Sequence, residues 1–148
     1  MPAGRVHNFF TGVTGTVVGI GCIYFEQDIT YTLAFVGGIT LGLVFTPDLD
    51  VDNGCISIHV VRKHFGKIPS TLWQYYWLPY ARVMSHRGLS HTPLLGTLTR
   101  LVYFFPFWFL FIFCYTYVQF WLVLAGLALA DIVHWGLDTL DSFVGGKL

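Results

Sequence analysis

Apolar residues in this chain gather into four runs, approximately residues 9–25, 29–46, 93–114 and 118–137. Each is close to the roughly 20 residues that cross the hydrocarbon of a bilayer as a helix. The pattern predicts an all-α, polytopic membrane protein of four transmembrane helices arranged as two hairpins, in one domain covering residues 1–148. Runs one and two are rich in glycine, with Gly15-x-x-x-Gly19 and Gly38-x-x-x-Gly42, a spacing that lets helix backbones approach closely in lipid. A tight hairpin through Glu26, Gln27 and Asp28 is expected. Runs three and four are bulkier, dominated by Phe, Trp and Leu, and turn near Tyr115 to Tyr117.

Between the hairpins lies a central polar loop, residues 48–92. Its Cys55 to Phe65 part mixes apolar residues with Arg62 and Lys63 and reads as a short surface helix. Trp73, Tyr75, Tyr76, Trp77 and Tyr80 follow, and amphipathic rings of this kind are favoured at the headgroup level. Substrate binding is the second reading of that cluster.

Composition agrees with the pattern. Hydrophobic residues make up 55% of the chain and charged ones 11%, against roughly 25% charged in an average soluble domain. The formal net charge is zero, so nucleic-acid binding is not expected. The placement of charge is more informative than its total. Arg5, Arg62, Lys63, Lys67, Arg82, Arg87 and Lys147 fall on the side shared by the N-terminus, the central loop and the C-terminus, and the two opposite turns hold no Lys or Arg. The positive-inside rule therefore puts both termini and the loop in the cytoplasm, in a bacterial inner membrane or its equivalent. A secretory signal is not supported, since no Ala-x-Ala-like site follows the first apolar run. A lipoprotein reading of Cys22 is weak, with Gly19 where such signals carry Leu. Cys22, Cys55 and Cys114 lack the spacing of a thiolate metal site and read as packing residues.

The residues able to bind metal gather at that same end. In the fourth run, Asp131, His134 and Asp138 fall within about 60° of one another at 3.6 residues per turn. Ionisable residues in such a segment are costly unless partnered. Asp48 and Asp50 follow Pro47, which disfavours helix for Thr46 and ends the second run. Packed together, these carboxylates would repel, and a divalent cation removes the conflict. His86 and His91 supply imidazoles from the start of the third helix, with a bend expected at Gly88 and at least one of them ligating; His7 stands at the start of the first helix. Oxygen and imidazole donors without thiolate suit zinc first, with manganese, iron or nickel also compatible. Asp52 and Asp131 are candidates to orient ligating imidazoles, and Arg87 and Arg100 to meet phosphate, although Arg100 is expected to snorkel to the headgroups. His59 and His64 read as surface residues of the loop.

His7, Pro47-Asp48-Leu49-Asp50, His86-Arg87-Gly88-Leu89-Ser90-His91 and His134-Trp135-Gly136-Leu137-Asp138 together resemble the YdjM-type inner-membrane family of metal-dependent hydrolases. They resemble still more closely a related bacterial family described only by metal binding. The similarity runs from His7 to Asp138 and implies a metal site carried by His7, Asp48, Asp50, His86, His91, His134 and Asp138. Ser90-His91-Thr92-Pro93 departs from the Thr-His-Ser usual in the YdjM type.

Two functions follow. The first is a membrane-embedded, metal-dependent hydrolase acting at the cytoplasmic face on a phosphoester of a lipid or lipid-linked molecule. Asp48, Asp50 and Asp138 leave a one-ion site negative and a two-ion site positive, so only the dinuclear version attracts phosphate. The second is a non-catalytic metal-binding membrane protein that stabilises or assembles a larger complex, a homo-oligomer included. A transporter ranks third, because its ligands belong near the midplane. Membrane lipids are expected neighbours in every case.

Overall fold

The structure of the protein, a computed structural model, describes residues 4–50, 55–84, 92, 94–112 and 117–144, with the backbone alone for Gly4, Asp50, residues 105–112 and Tyr117. Among the described residues there are six α-helices and no strand. They are α1 (Gly4–Tyr24), α2 (Ile29–Leu41), α3 (Ile56–Phe65), α4 (Lys67–Val83), α5 (Leu95–Ile112) and α6 (Tyr117–Val144), with a 3-10 turn at Pro47–Asp50 between α2 and α3.

The first hairpin forms where predicted, and local chemistry explains its corner. The N–H of Gln27 donates to the Cys22 carbonyl at 2.9 Å and that of Glu26 to the Ile23 carbonyl at 3.0 Å, the paired bonds of a Schellman stop. Glu26 takes the left-handed conformation this requires, φ 54°, although it is not glycine. Asp28 then caps α2, accepting from the Thr30 N–H at 2.7 Å and the Tyr31 N–H at 3.3 Å. Hydrogen bonds from Thr30, then from the Tyr31 backbone, hold the Asp28 carboxyl below the usual carboxylate range. The cap is therefore intact above the ordinary aspartate pKa and weakens as pH falls through the lowered one.

Helix α2 is shorter than the predicted run of 29–46. The α-helix gives way at Gly42 to tight turns, with the N–H of Leu43 donating to Thr40 and that of Val44 to Leu41, and Pro47 then opens the 3-10 turn. Its 13 residues rise about 20 Å, less than the roughly 30 Å hydrocarbon thickness. Among the described residues, Arg5–Tyr24 and Val118–Val144 are long and apolar enough to cross a membrane.

The close-packed seam of the molecule lies between α2 and α6. A Cβ added to Gly38 would sit 2.1 Å from the Val123 carbonyl oxygen, one on Gly126 2.2 Å from that of Phe35, and one on Gly42 2.4 Å from the Ala130 Cβ. Gly38-x-x-x-Gly42 thus meets Gly126-x-x-x-Ala130, and the ascending order of these contacts makes the two helices parallel. The first-hairpin glycines pack more loosely. Gly15 and Gly19 face the Ile39 and Val36 methyls at ordinary van der Waals distance, 3.5 and 3.6 Å.

The expected central loop contains two helices. Gly66, at φ 92°, turns α3 into α4, and the hairpin is pinned to the turns that follow α2 by the Ser57 hydroxyl, which donates to the Val44 carbonyl at 2.7 Å and accepts from Trp73 Nε1 at 2.8 Å. The aromatic cluster assigned to a headgroup belt is largely interior. Trp77 and Tyr80 are buried and pack with Phe45, Tyr103 and Phe104, while Tyr76 and Tyr103 each donate a phenol hydrogen to the other's backbone carbonyl. Tyr75 alone of the five is exposed. Alternation along α4 accounts for the difference, since Trp73, Trp77 and Tyr80 recur at helical spacing on one face.

Candidate metal centre

Three parts of the chain converge at the end of the bundle. Helix α1 begins early enough to hold His7 inside its first turns, and α6 extends well past the predicted residue 137, so that Asp138 lies within a helix, one turn after His134. The parallel seam brings the end of α2 to the same level. There the Asp48 N–H donates to Thr46 Oγ1 at 3.3 Å, shaping the turn that presents the Asp48 carboxylate.

His7 and His134 are both 4% exposed and stack with ring centroids 3.7 Å apart and planes 15° from parallel. Their Nε2 atoms share the Asp138 carboxylate. His7 Nε2 is 3.3 Å from Asp138 Oδ1, and His134 Nε2 is 3.5 Å from Asp138 Oδ2 and 3.6 Å from Asp48 Oδ1. One ligand atom each from His7, His134 and Asp138 can be chosen so that all three lie within 4.8 Å of one another.

Those separations fit a shared ion. Charge-assisted N–H···O bonds are about 2.7–2.9 Å. Two donors on one tetrahedral ion with bonds of about 2.0–2.2 Å stand about 3.3–3.6 Å apart, the edge of the tetrahedron. Asp48 and Asp138 bring two negative charges, which one divalent ion offsets, the condition a buried site favours. The donor types and their spacing therefore suit a divalent metal.

Residues 2–142 match the family described as "Uncharacterized metal-binding protein (DUF2227)". The chain belongs to that family. It is also similar to an uncharacterized protein of Aquifex aeolicus (strain VF5), 31% identical over an alignment of 146 positions, with 77% of this chain and 94% of the relative covered. No solved structure matches the chain. The family match covers all the residues singled out from the sequence for metal binding, and supports the metal-binding half of the expectation without its YdjM-type hydrolase half.

Of those residues, His7, Asp48, His134 and Asp138 are brought together. Asp50 lies in the same 3-10 turn, where its backbone is described. Asp52, His86, Arg87 and His91 fall outside the described residues. Asp131 is buried, and its carboxylate is engaged by the Thr97 hydroxyl and the Arg100 guanidinium. Arg100 does not snorkel: it is 1% exposed and turned into the bundle. His59 and His64 are exposed, as expected.

Two residues of this region went unnoticed in the sequence. Thr97 stands one turn before Arg100 and completes the grip on Asp131. Asp141 is 4% exposed and continues the face of Asp131, His134 and Asp138 by one more turn. Its signal was available in the spacing 131, 134, 138, 141, a recurrence of three and four residues that places all four on one side of α6.

Proposed function

We propose that this protein is a membrane-embedded, divalent-metal-dependent hydrolase acting on a phosphoester at the end of the bundle where its ligands meet. The observation that supports it best is the convergence of His7, His134 and Asp138 beside the half-exposed Asp48. Two histidines and one carboxylate form a three-ligand set of the kind catalytic metal sites use, leaving a position for water or substrate. Bound there, a divalent ion supplies Lewis acidity toward a phosphoryl oxygen and lowers the pKa of a water. Asp48, on the more accessible side, is placed to accept a proton; Asp50 and the residues of His86 to His91 are the remaining candidates for a second ion and for phosphate contact. Zinc suits the donor set first.

A second reading is favoured by one specific observation. The separations of Asp48 and Asp138 from His134 match a tetrahedral edge equally well, and with Asp48 as fourth ligand the shell is closed, as in structural sites. The ion would then fasten α1, the Pro47–Asp50 turn and α6 together without chemistry, for a role in a larger membrane complex.

The test separates the two. Purified protein retains divalent metal by elemental analysis, and chelation lowers its unfolding temperature because the ion binds the folded state alone. Asp138→Asn, close in volume but short one charge, depletes the metal. Wild type loaded with zinc, manganese, iron or nickel is screened on phosphodiesters and phosphomonoesters, lipids included, beside Asp48→Asn. Hydrolysis lost in Asp48→Asn with metal retained supports the first reading; metal-loaded protein with no turnover on any of them supports the second. Absence of metal and of any thermal response to the four ions overturns both.

A further inference from the structure

The α3–α4 hairpin carries two surface features that the metal centre does not use. The outward side of α4 and its turn is apolar: Phe65, Ile68, Leu72, Tyr75 and Val83 are 66–79% exposed, opposite the buried stripe of Ser70, Trp77 and Tyr80. Spacings of four and three residues from Ile68 through Leu72 to Tyr75 put these side chains on one strip of α4, with Phe65 beside the turn that opens it. Around the same Gly66 turn stand Arg62, Lys63 and Lys67, all exposed. No Asp or Glu occurs anywhere between Asp52 and Asp131, so nothing within this segment neutralises them.

An exposed apolar strip bordered by uncompensated cations is the signature of a helix lying in a membrane interface. The charges decide the occupant. A second copy of this hairpin would bring three cations against three, whereas anionic headgroups offset them at roughly 1 kcal/mol per cation. The inner side of the hairpin is already committed, through Ser57 to the turn after α2 and through Tyr76 and Tyr80 to α5. Among the described residues, the outer side is left for a partner.

We infer that the α3–α4 hairpin is an anionic-lipid-binding element, with Phe65, Ile68, Leu72 and Tyr75 sunk to the acyl boundary and Arg62, Lys63 and Lys67 paired with lipid phosphates. It holds the outer flank of the bundle in the headgroup layer. The strip and its cations are not among the candidate metal ligands, so the inference does not depend on the hydrolase reading.

A photoreactive benzophenone amino acid in place of Leu72 tests it in the full-length protein, reconstituted in vesicles of mixed phosphatidylcholine and phosphatidylglycerol. Mass analysis of the crosslinked species should find lipid adducts enriched several-fold in phosphatidylglycerol over the vesicle composition. Arg62→Gln/Lys63→Gln/Lys67→Gln in the same background should return the adducts to that composition. Should the triple variant misfold, raised ionic strength on the unsubstituted cations serves as the second measurement, since screening reduces the enrichment without altering the chain. Protein–protein adducts at Leu72 would assign the strip to a second copy and overturn the proposal. So would adducts that follow vesicle composition in the protein with its cations intact, or no adducts at all.

Discussion

Arg100 shows how far a single side chain departs from what its sequence position suggests. Near the start of an apolar helix, snorkelling is the expected course for a long cation. Here the guanidinium turns inward because Asp131, on α6, supplies a charge that Thr97 also helps hold. The partner lies 31 residues away in the chain, and no local pattern announces such a pairing. Removing one member leaves the other charged and buried, an effect of about 3–5 kcal/mol for buried pairs, whereas removing both with apolar groups of similar size costs far less. Arg100→Met and Asp131→Leu are each expected to lower the unfolding temperature of the purified protein sharply, and the double variant to recover much of the loss. Additive losses in the double variant would show that the two side chains act separately. The candidate metal ligands were more legible at this scale, since His7, Asp48, His134 and Asp138 each flank the same end of an apolar run.

Packing between elements was legible only in part. The Gly38-x-x-x-Gly42 spacing identifies a face on which backbones approach, but spacing cannot name the helix that approaches it. That helix is α6, whose own Gly126-x-x-x-Ala130 is masked in the sequence by being half alanine. The contrast with Gly15 gives a prediction. At Gly38 an added methyl would meet a backbone carbonyl at 2.1 Å, an obstacle that no rotamer change relieves, while at Gly15 it would meet a side-chain methyl at 3.5 Å. Overpacking of this kind costs about 1–3 kcal/mol even where neighbours can adjust. Gly38→Ala should therefore lower the unfolding temperature markedly and loosen metal retention, because the same seam sets the height of Asp48 against His134. Gly15→Ala should be close to neutral, helped by the higher helix propensity of alanine. Equal effects at the two positions would contradict the assignment of the seam. The α3–α4 hairpin was underread for a different reason: α4 buries its aromatics on one face and exposes apolar residues on the other, so neither periodicity nor polarity separated it from a surface loop.

At the scale of the molecule, the contacts of the candidate metal centre constrain the path of the chain independently of hydropathy. His7 and Asp48 both reach His134, yet α1 carries the chain about 26 Å away from His7 by Tyr24, so residues 29–46 must return over the same height. Thr97 and Arg100 likewise meet Asp131 near the centre, so α5 leaves that end and α6 comes back to it. Glu26, the end of α5 and the start of α6 therefore lie opposite the candidate metal centre. The cations follow the same division, with Arg62, Lys63, Lys67 and Arg82 in the segment that joins the two outward excursions and none at the Glu26–Asp28 corner. If the bundle spans a membrane, this arrangement and the positive-inside rule together require that corner to be outside and the Gly66 turn inside. Reporter insertions at Gln27 and at Gly66, with a fusion after Leu148, measure it. The Gln27 reporter should be active only outside the cytoplasm, and those at Gly66 and after Leu148 only within it. Agreement between Gln27 and Gly66 would mean that α2 does not cross, leaving the 13-residue helix folded back within one leaflet and the four-span reading overturned.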